Sequence, residues 1–497
     1  MNDATLSDPS ATARTFFQKI WDDHVIEDFG DGSYLLQIDR LFLHEVSGGV
    51  ALRELHEARR ATDSPRQVFT AIDHVVNIYP GRRPGQGRND TATSMIAETV
   101  GESARHGLQV FQVGDPRQGI VHVISPELGL ALPGLTLVCG DSHTCTVGGV
   151  GTLGWGVGST EGVHVLATQT LVQPKPKTMR VWFDGALPAG VHAKDMALHL
   201  IARIGANGGI GYAIEFAGEA VEALPVEGRL TLCNMAIECA ARYAFVAPDD
   251  ATYAYLAGRE YTPSGAAWDE AVAYWKTLPS DPGAQFDSDI HIDCTQLAPQ
   301  ITWGTSPQHS AAIDGAVPAP GAFDDEGARA LVERALAYQH LTPGTRYDDI
   351  AVDVAYIGSC TNARLSDLQV AADVLRGRKV ADGVTAICVP GSSRVKAEAE
   401  ALGIDAIFRA AGFEWLESGC AMCATGGADR LGGKRVVSTT NRNFENRQGP
   451  KTRTHLASPA TVAASAVLGH LADARALPRT ADAADVATSP AAADQSR

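Results

Sequence analysis

Residues 420–423 read Cys-Ala-Met-Cys, and residues 441–447 read Asn-Arg-Asn-Phe-Glu-Asn-Arg. Both strings lie in one segment, from Glu417 to His455, around which the rest of the chain is organised. Two thiols three positions apart can bind one metal centre from a single loop. The arginines Arg442 and Arg447 carry planar guanidinium groups that suit bidentate binding of carboxylates. A thiolate metal site beside such arginines predicts a metal that acts on a small organic acid.

A third thiol, Cys360, stands in the string Gly358-Ser-Cys-Thr-Asn362. Taken alone, the pair Cys420 and Cys423 also fits half a zinc ribbon or a redox pair. A ribbon needs a second close pair, which the sequence does not contain, and a redox pair of the thioredoxin type follows an early strand, whereas this pair is late. With Cys360 added, the three cysteines favour an iron–sulfur cluster in which one iron has no protein ligand.

Composition restricts the class of protein. The 497 residues exceed what one hydrophobic core supports, so several domains are expected. A net charge of −17 argues against nucleic acid and against anionic membrane surfaces as partners. The polar first 13 residues do not resemble a signal peptide, and no apolar run is long enough to span a membrane. Nine cysteines, an odd number, argue against a disulfide framework. We therefore expect a cytoplasmic protein.

The pattern of apolar residues predicts an α/β protein in which strands alternate with helices. Strands end on polar residues several times, as expected where an α/β sheet forms its site at the carboxyl ends of the strands. The extended string Gln173-Pro-Lys-Pro176 predicts the first domain boundary. The predicted divisions are 14–175, 176–290 and 291–475, followed by a disordered tail, 476–497.

Several histidines and carboxylates are predicted to lie at the ends of different strands of one sheet: Asp73, His74, His122, Asp141, His143 and Glu238. An isolated histidine is more often structural than catalytic. Several at neighbouring strand ends are better explained as a site in which carboxylates orient imidazoles that donate protons to a leaving hydroxide.

Two further strings resemble known motifs but favour structural roles. Gly149-Val-Gly-Thr-Leu-Gly154 matches the dinucleotide-binding pattern, yet the acidic residue expected about 20 positions later is missing. Close backbone packing is the better interpretation. Gly391-Ser-Ser-Arg394 follows a predicted strand and precedes a predicted helix, which favours a helix N-cap.

Across residues 15–475 the chain resembles the aconitase superfamily, and within it the large subunits of the isopropylmalate isomerases. Seven strings carry this resemblance in the superfamily's order: Gly114-Asp-Pro-Arg-Gln-Gly-Ile-Val-His122, Cys139-Gly-Asp-Ser-His-Thr144, His164-Val-Leu-Ala-Thr-Gln169, Cys233-Asn-Met-Ala-Ile-Glu238, Trp303-Gly-Thr-Ser-Pro307, Ile357-Gly-Ser-Cys-Thr-Asn362 and Asn441-Arg-Asn-Phe-Glu445. The resemblance implies a three-domain α/β fold that lacks the superfamily's mobile fourth domain.

The same resemblance implies one [4Fe-4S] cluster on Cys360, Cys420 and Cys423, with a fourth iron not ligated by the protein. It pairs Asp73 with His74, Asp141 with His122, and Glu238 with His143 as catalytic groups. It also implies five substrate-binding residues: His44, Ser142, Asn234, Arg442 and Arg447.

The implied activity is dehydration and rehydration of a 2-hydroxy dicarboxylic acid, with 2-isopropylmalate to 3-isopropylmalate in leucine biosynthesis as the expected reaction. A separate small subunit is expected to supply the fourth domain and its catalytic serine. The strings His44-Glu-Val-Ser-Gly-Gly-Val50 and Asp73-His-Val-Val-Asn77 differ from the usual ones, as does Tyr79-Pro-Gly-Arg-Arg-Pro-Gly85. Maleate, citraconate, dimethylmalate and homocitrate therefore stay open as substrates. A cluster-free RNA-binding regulator and a non-catalytic structural partner are the remaining alternatives, and the charge of −17 disfavours the first.

Overall fold

The computed structural model describes residues 13–423 and 428–478. Residues 1–12, and residues 479–497 of the predicted disordered tail, therefore lie outside the described residues. Of the predicted tail, Ala476 ends a 3-10 turn, and the Pro478 carbonyl accepts a 2.5 Å hydrogen bond from Arg378 Nη2.

The N-terminal sheet has five parallel strands. From edge to edge they are Gln109–Phe111, Val68–Ala71, Arg40–His44, Thr136–Cys139 and Leu153–Gly156. All residues of Val68–Ala71 and Thr136–Cys139 are buried, as expected for parallel strands covered on both faces. The chain builds one side of the sheet and then returns to the other side of Arg40–His44. The carboxyl ends of Arg40–His44 and Thr136–Cys139 therefore flank a point where the direction of winding reverses, which is where α/β sheets bind ligands.

The C-terminal sheet repeats this strand order. From edge to edge its parallel strands are Phe413–Trp415, Thr385–Cys388, Val354–Ile357, Arg435–Ser438 and Arg453–Leu456. Its winding reverses between Val354–Ile357 and Arg435–Ser438. Cys360 follows the first of these strands, and Asn441 and Arg442 follow the second.

The middle sheet has four parallel strands in the order Tyr243–Val246, Tyr212–Ala217, Lys177–Asp184 and Ser288–Asp293. The predicted boundary between residues 290 and 291 falls inside its last strand. The division into three domains stays a prediction, and we now place its second boundary after Asp293.

Two smaller sheets contain the remaining strands of the described residues. Val25–Asp28, Ser33–Gln37 and Thr170–Pro174 form an antiparallel sheet, and Gln300–Thr302 pairs with Ser310–Ala312.

Helices pack around these sheets and start at recognisable caps. Thr15, for example, forms a capping box with Gln18 at the start of the first helix. The α-helices are Phe16–His24, Gly48–Glu57, Asp90–Arg105, Val121–Glu127, Ser159–Thr168, Ala193–Ile204, Glu219–Glu222, Val226–Met235, Asp250–Leu256, Ala266–Trp275, Glu326–Gln339, Leu365–Leu375, Ser393–Ala401, Ile404–Ala411, Ala428–Leu431 and Pro459–Leu468. The 3-10 helices are Pro65–Gln67, Ser142–Val150, Ala236–Cys239, Pro320–Ala322, Tyr347–Asp349, Ala421–Cys423 and Ala474–Ala476. Within the described ranges, none of these helices has the length and apolarity needed to cross a bilayer.

Two predicted strand-end residues lie on helices instead. His122 is the second residue of the helix Val121–Glu127, and Glu238 lies in the 3-10 turn Ala236–Cys239. The prediction of strand ends was wrong at these positions. Every residue from Val121 to Glu127 is buried, so the run has no polar face, and periodicity does not separate a short buried helix from a buried strand.

The two structural interpretations of the glycine and serine strings are confirmed. A Cβ on Gly149 would lie 2.5 Å from the backbone nitrogen of Leu230, so the glycine permits close helix packing. Ser392 caps the helix Ser393–Ala401, and its hydroxyl accepts a 3.0 Å hydrogen bond from the Val395 amide.

The N-terminal and C-terminal sheets are joined near their strand ends. The Ile120 amide donates to the Gly391 carbonyl at 2.8 Å, and the Glu417 amide donates to the Ile78 carbonyl at 2.8 Å. These bonds bring the polar strand ends of both sheets into one region.

Candidate active site

Asp141 is the centre of a group of three imidazoles. Its Oδ2 lies 3.0 Å from His74 Nε2, and its Oδ1 lies 3.3 Å from His143 Nδ1 and 3.7 Å from His122 Nε2. The other carboxylates complete the group: Asp73 Oδ1 lies 2.7 Å from His74 Nδ1, and Glu238 Oε1 lies 2.8 Å from His143 Nε2. The structure therefore assembles all six predicted catalytic residues, although they come from separate parts of the chain.

The pairing differs in detail from the one that the resemblance implies. Asp141 makes its close contact with His74, while its 3.7 Å separation from His122 exceeds a hydrogen bond. Both ring nitrogens of His122 are buried and have no hydrogen-bond partner among the residues that the structure describes. A bound molecule can supply the hydrogen-bond partner that this imidazole lacks. Such a contact is favourable, because a buried polar group without a hydrogen bond costs free energy.

The histidines of the candidate site differ in their charge. Burial opposes ionisation of Asp141, but the neighbouring imidazoles of His122, His143 and His74 hold the pKa of its carboxyl well below the usual value. Burial would lower the pKa of His74, yet Asp73 and Asp141 raise it well above the usual value, so this imidazole is cationic at neutral pH. His44 stacks on His74 with ring centroids 4.2 Å apart. Burial and the charge of His74 lower the pKa of His44 to about 4, which keeps His44 neutral.

Glu45 supports this group and was missed by sequence reasoning. Its Oε1 accepts a 2.6 Å hydrogen bond from the Val75 amide, and its Oε2 accepts a 3.1 Å bond from the Asp73 amide. The carboxylate thus fixes the backbone on both sides of His74. Its position directly after His44 was the available signal, but a single glutamate in a loop does not reveal that its partners are amides about 30 residues away.

The three predicted metal ligands lie in loops at the carboxyl end of the C-terminal sheet, and all are buried. The backbone before two of them is unusual: Ser359 has φ +102° and Ala421 has φ +51°. Residues with side chains rarely adopt these angles, so their presence around a site indicates a functional constraint. A hydrogen bond with the Cys420 thiol, together with the charges of Arg447 and His143, lowers the pKa of Cys423 to about 6 against the opposing effect of burial.

The donor set fits an iron–sulfur cluster better than a single metal ion. A tetrahedral zinc ion with bonds of about 2.3 Å would require its thiolates to lie within about 4 Å of one another. Among the described residues, only His44, Glu45 and His74 form a group of three whose ligand atoms all lie within 4.8 Å of one another, and these side chains already have partners. The three thiols do not all lie within 4.8 Å of one another, so together they do not form the tight set that one zinc ion requires.

Amide groups of two asparagines point at one of these thiols. Asn234 Nδ2 lies 3.3 Å and Asn441 Nδ2 lies 3.4 Å from the Sγ of Cys360. Hydrogen bonds to ligand sulfurs are a means by which proteins stabilise and tune iron–sulfur clusters. The residues present therefore fit the cluster that the sequence predicts. Asn234 was predicted to bind substrate, and its contact with Cys360 places it beside the expected cluster.

The two predicted arginines differ in their surroundings. Arg442 Nε donates a 2.8 Å hydrogen bond to Glu238 Oε1, so Arg442 also orients the partner of His143. Arg447 lies 5.3 Å from the centre of the Phe444 ring, and its Nε is buried without a hydrogen-bond partner. The Ser142 side chain is exposed, with its Oγ 3.5 Å from His143 Nδ1. Arg447 and Ser142 thus both have groups that a bound anion could contact.

The unusual strings around residues 47–85 have structural explanations. A Cβ on Gly49 would lie 2.6 Å from Thr99 Oγ1, and a Cβ on Gly48 would lie 2.9 Å from Leu43 Cβ, so the glycines let the helix Gly48–Glu57 pack closely. The guanidinium of Arg82 donates hydrogen bonds of 2.5 Å to the Ser418 carbonyl and 2.9 Å to Gln118 Oε1. Arg82 therefore braces the loop before Cys420, whereas the two glycines permit close packing of the helix.

Comparisons with known proteins bear on the family of the chain. The sequence profile of the Aconitase family (aconitate hydratase) matches residues 18–469. The 3-isopropylmalate dehydratase large subunit 1 of Bradyrhizobium diazoefficiens is 51% identical over 467 residues, which cover 94% of this chain and 97% of that protein. Among solved structures, Thermococcus kodakaraensis aconitase X in its holo-form aligns with a TM-score of 0.44 and 14% identity over 86% of this chain and 87% of that one. The parallel α/β architecture, the match over most of the sequence and the 51% identical relative together show that the chain belongs to the aconitase family.

Proposed function

We propose that this chain is the large, cluster-bearing subunit of an iron–sulfur hydro-lyase that isomerises 2-isopropylmalate to 3-isopropylmalate. The single observation that carries the chemistry is the meeting of two sets of strand ends, which brings three buried thiols next to imidazoles organised by Asp141. The choice of substrate is supported by the relative from Bradyrhizobium diazoefficiens, whose name states that activity and which is matched over 97% of its length.

Cys360, Cys420 and Cys423 would hold one [4Fe-4S] cluster with one iron free of protein ligands. Such a cluster supplies Lewis-acid polarisation of the substrate's hydroxyl and carboxylate oxygens. The buried amides of Asn234 and Asn441 stabilise the thiolate of Cys360. Within this proposal the cytoplasm, where thiols stay reduced, is the compartment of the protein.

The imidazoles supply the proton that the leaving hydroxyl needs. His74 carries the positive charge and is fixed by Asp73 and Asp141, and His122 is free to form a hydrogen bond with the substrate because its nitrogens have no partner. Correctly placed acid–base groups contribute about 10²–10⁴-fold to rates. His143 is held by a hydrogen bond to Glu238, and Glu238 is held by a hydrogen bond from Arg442. His143, Glu238 and Arg442 therefore act as one unit.

Substrate carboxylates are bound by arginine and by exposed polar groups. Arg447 offers an unpaired guanidinium Nε, and Ser142 offers a hydroxyl at the edge of the imidazole group. The neutral His44 lines the same site through its stacking on His74. The proton on the substrate's carbon is removed by a serine of a separate small subunit, which provides the fourth domain. This proposal is supported by the name of the relative from Bradyrhizobium diazoefficiens, which calls that protein a large subunit.

The test is anaerobic turnover of the full chain after iron and sulfide reconstitution, with and without the candidate small subunit, on a panel of 2-hydroxy acids. We expect alkene absorbance only when the partner is present, and the highest kcat/KM on isopropylmalate. A preference for maleate, citraconate, dimethylmalate or homocitrate would refute the proposed substrate and keep the chemistry. Full activity of this chain alone would refute the proposed role of the small subunit.

A further inference from the structure

Lys194 occupies a position that is unfavourable for a cation. It is the second residue of the helix Ala193–Ile204, and its exposed fraction is 0%. Lysine is almost never fully buried unless it has a partner. The first turn of a helix also repels positive charge, because the helix dipole places partial positive charge there. Burial lowers the pKa of Lys194 to about 7. Neither the helix nor burial therefore explains why a lysine stands here.

The ammonium group contacts the turn that carries two of the predicted site residues. Lys194 Nζ donates hydrogen bonds of 2.5 Å to the carbonyl oxygens of Thr439 and Thr440. These carbonyls follow the strand Arg435–Ser438 and directly precede Asn441 and Arg442. A helix that packs on the middle sheet thereby fixes the backbone from which Asn441 reaches Cys360 and Arg442 reaches Glu238.

Negative groups around Lys194 are carboxylates and cluster thiols. The charges that favour its protonated form come from Asp367, Cys423, Asp195 and Cys360, in that order. Both carboxylates have other partners. Asp367 accepts from the Arg364 amide at 3.0 Å and from Asn362 Nδ2 at 2.8 Å, and Asp195 accepts from the amides of His192 and Gln300, both at 2.8 Å. The two thiols would bind iron as thiolates.

We propose that Lys194 is a positioning residue for the cluster and for the substrate-binding turn. Its ammonium holds Thr439 and Thr440 in place and so puts a positive charge on the turn from which Asn441 contacts the Cys360 thiol. The proposal rests on the proposed function, since it concerns the same cluster. A positive charge near the cluster stabilises the more negative, reduced form, so it raises the reduction potential.

The chain contains a matched control. Lys19 is also buried, and its Nζ donates to two backbone carbonyls, those of Thr277 at 2.8 Å and Pro279 at 2.6 Å, and to Asp281 Oδ1 at 2.7 Å. These carbonyls lie outside the candidate site. Loss of Lys19 therefore removes a comparable set of hydrogen bonds without a change in charge near the cluster.

The experiment compares the reconstituted full chain with the variants Lys194→Met, Lys194→Arg and Lys19→Met. Iron and sulfide content, the reduction potential from an anaerobic titration followed by electron paramagnetic resonance, and KM and kcat with the small subunit are measured for each. We expect Lys194→Met to have a more negative potential and a KM raised by about tenfold, as loss of hydrogen bonds to a charged group predicts. Lys194→Arg should restore the potential, because the guanidinium keeps the positive charge and can also donate hydrogen bonds to carbonyl oxygens. Lys19→Met should match the wild type.

Each outcome of this experiment either supports or overturns the proposed role of Lys194. Failure of Lys194→Met alone to bind iron, with Lys194→Arg and Lys19→Met fully loaded, would support the proposal. A fully loaded Lys194→Met with the wild-type potential and KM would overturn it, and so would a Lys194→Arg variant that behaves like Lys194→Met. Failure of the wild-type chain itself to take up iron and sulfide would instead refute the proposed function, and this inference with it.

Discussion

The backbone amide of Cys420 donates a 2.8 Å hydrogen bond to the carbonyl oxygen of Asp73. This bond connects two parts of the candidate site. One is the loop that carries the predicted cluster ligands Cys420 and Cys423, and the other is Asp73, which directly precedes the cationic His74. The two halves of the candidate site are therefore connected through the backbone as well as through side chains. We therefore expect a substitution in one half of the site to affect the other half.

Replacement of Asp141 by asparagine should reduce turnover without loss of iron. The carboxylate holds His74 and His143 and keeps its own negative charge, which an amide cannot reproduce. We expect kcat to fall by about 10²–10⁴-fold, the usual contribution of acid–base groups. Asp115→Asn is the control, because Asp115 pairs with Arg117 outside this group. Wild-type kcat in Asp141→Asn would remove Asp141 from the mechanism.

Replacement of Cys423 by alanine should abolish cluster binding. The thiol is one of three buried candidates, and its lowered pKa makes it the most readily ionised of them. Visible absorbance and iron and sulfide per chain report the result. Cys388→Ala is the control, since Cys388 is equally buried in the strand Thr385–Cys388 of the same sheet. Normal iron content in Cys423→Ala would refute the ligand assignment.

Replacement of Arg447 by lysine should weaken substrate binding. Lysine keeps the charge but cannot form two parallel hydrogen bonds with a carboxylate. We expect a loss of about 1–3 kcal/mol, seen mainly as a higher KM. Arg334→Lys serves for comparison, because Arg334 forms an exposed ion pair with Glu445. Unchanged kinetics of Arg447→Lys would exclude this arginine from the site.

Alanine at Gly49 should destabilise the fold. Its Cβ would lie 2.6 Å from Thr99 Oγ1, and overpacking of this kind costs about 1–3 kcal/mol. At Gly101, in the helix Asp90–Arg105, nothing lies within 4 Å of an added Cβ, so Gly101→Ala should stabilise by about 0.5–1 kcal/mol. Urea unfolding of both variants checks this. A changed substrate preference in a stable Gly49→Ala would show that the glycine shapes the pocket after all.

Stability should depend on pH through the pair His24 and Asp39. His24 Nε2 lies 2.7 Å from Asp39 Oδ2. Burial alone would lower the pKa of His24 and raise that of Asp39, but their hydrogen bond reverses both directions. The contribution of His24 is complete below its unfolded pKa of 6.5 and is lost as pH rises through the raised value. That of Asp39 is complete above 3.8 and is lost as pH falls.

The stabilising contribution of the pair should therefore be largest near pH 5–6. The difference in unfolding free energy between the wild type and His24→Gln, measured by urea titration at several pH values, should shrink toward pH 8–9. A difference that does not change with pH would refute the role of the ion pair.

The sequence predicted much of the architecture because the relevant signals are local. Apolar runs such as Val68–Ala71 and Thr136–Cys139 are followed by polar strings, and parallel sheets gather such strings at one edge. The thiols and arginines were equally visible, because few other residue types serve as cluster ligands or bidentate carboxylate binders.

The residues that were missed act through contacts far apart in sequence. Lys194 contacts carbonyls 245 and 246 positions away, and a carbonyl has no sequence signature. Glu45 binds backbone amides, which are equally invisible in a sequence. The helix that carries His122 was read as a strand because it is too short and too buried to show a polar face.

The repeated strand order of the C-terminal sheet affects how the protein is made. Its strands Arg435–Ser438 and Arg453–Leu456 come last along the chain, and Arg435–Ser438 lies beside the central Val354–Ile357. On the ribosome, all three cysteines therefore leave the exit tunnel before the strand and turn that cover them. Until the last segment docks, the thiols are open to oxidation, and iron inserted early would lack the amide of Asn441. We expect cluster assembly to follow synthesis, when the carboxyl-terminal segment has closed the sheet.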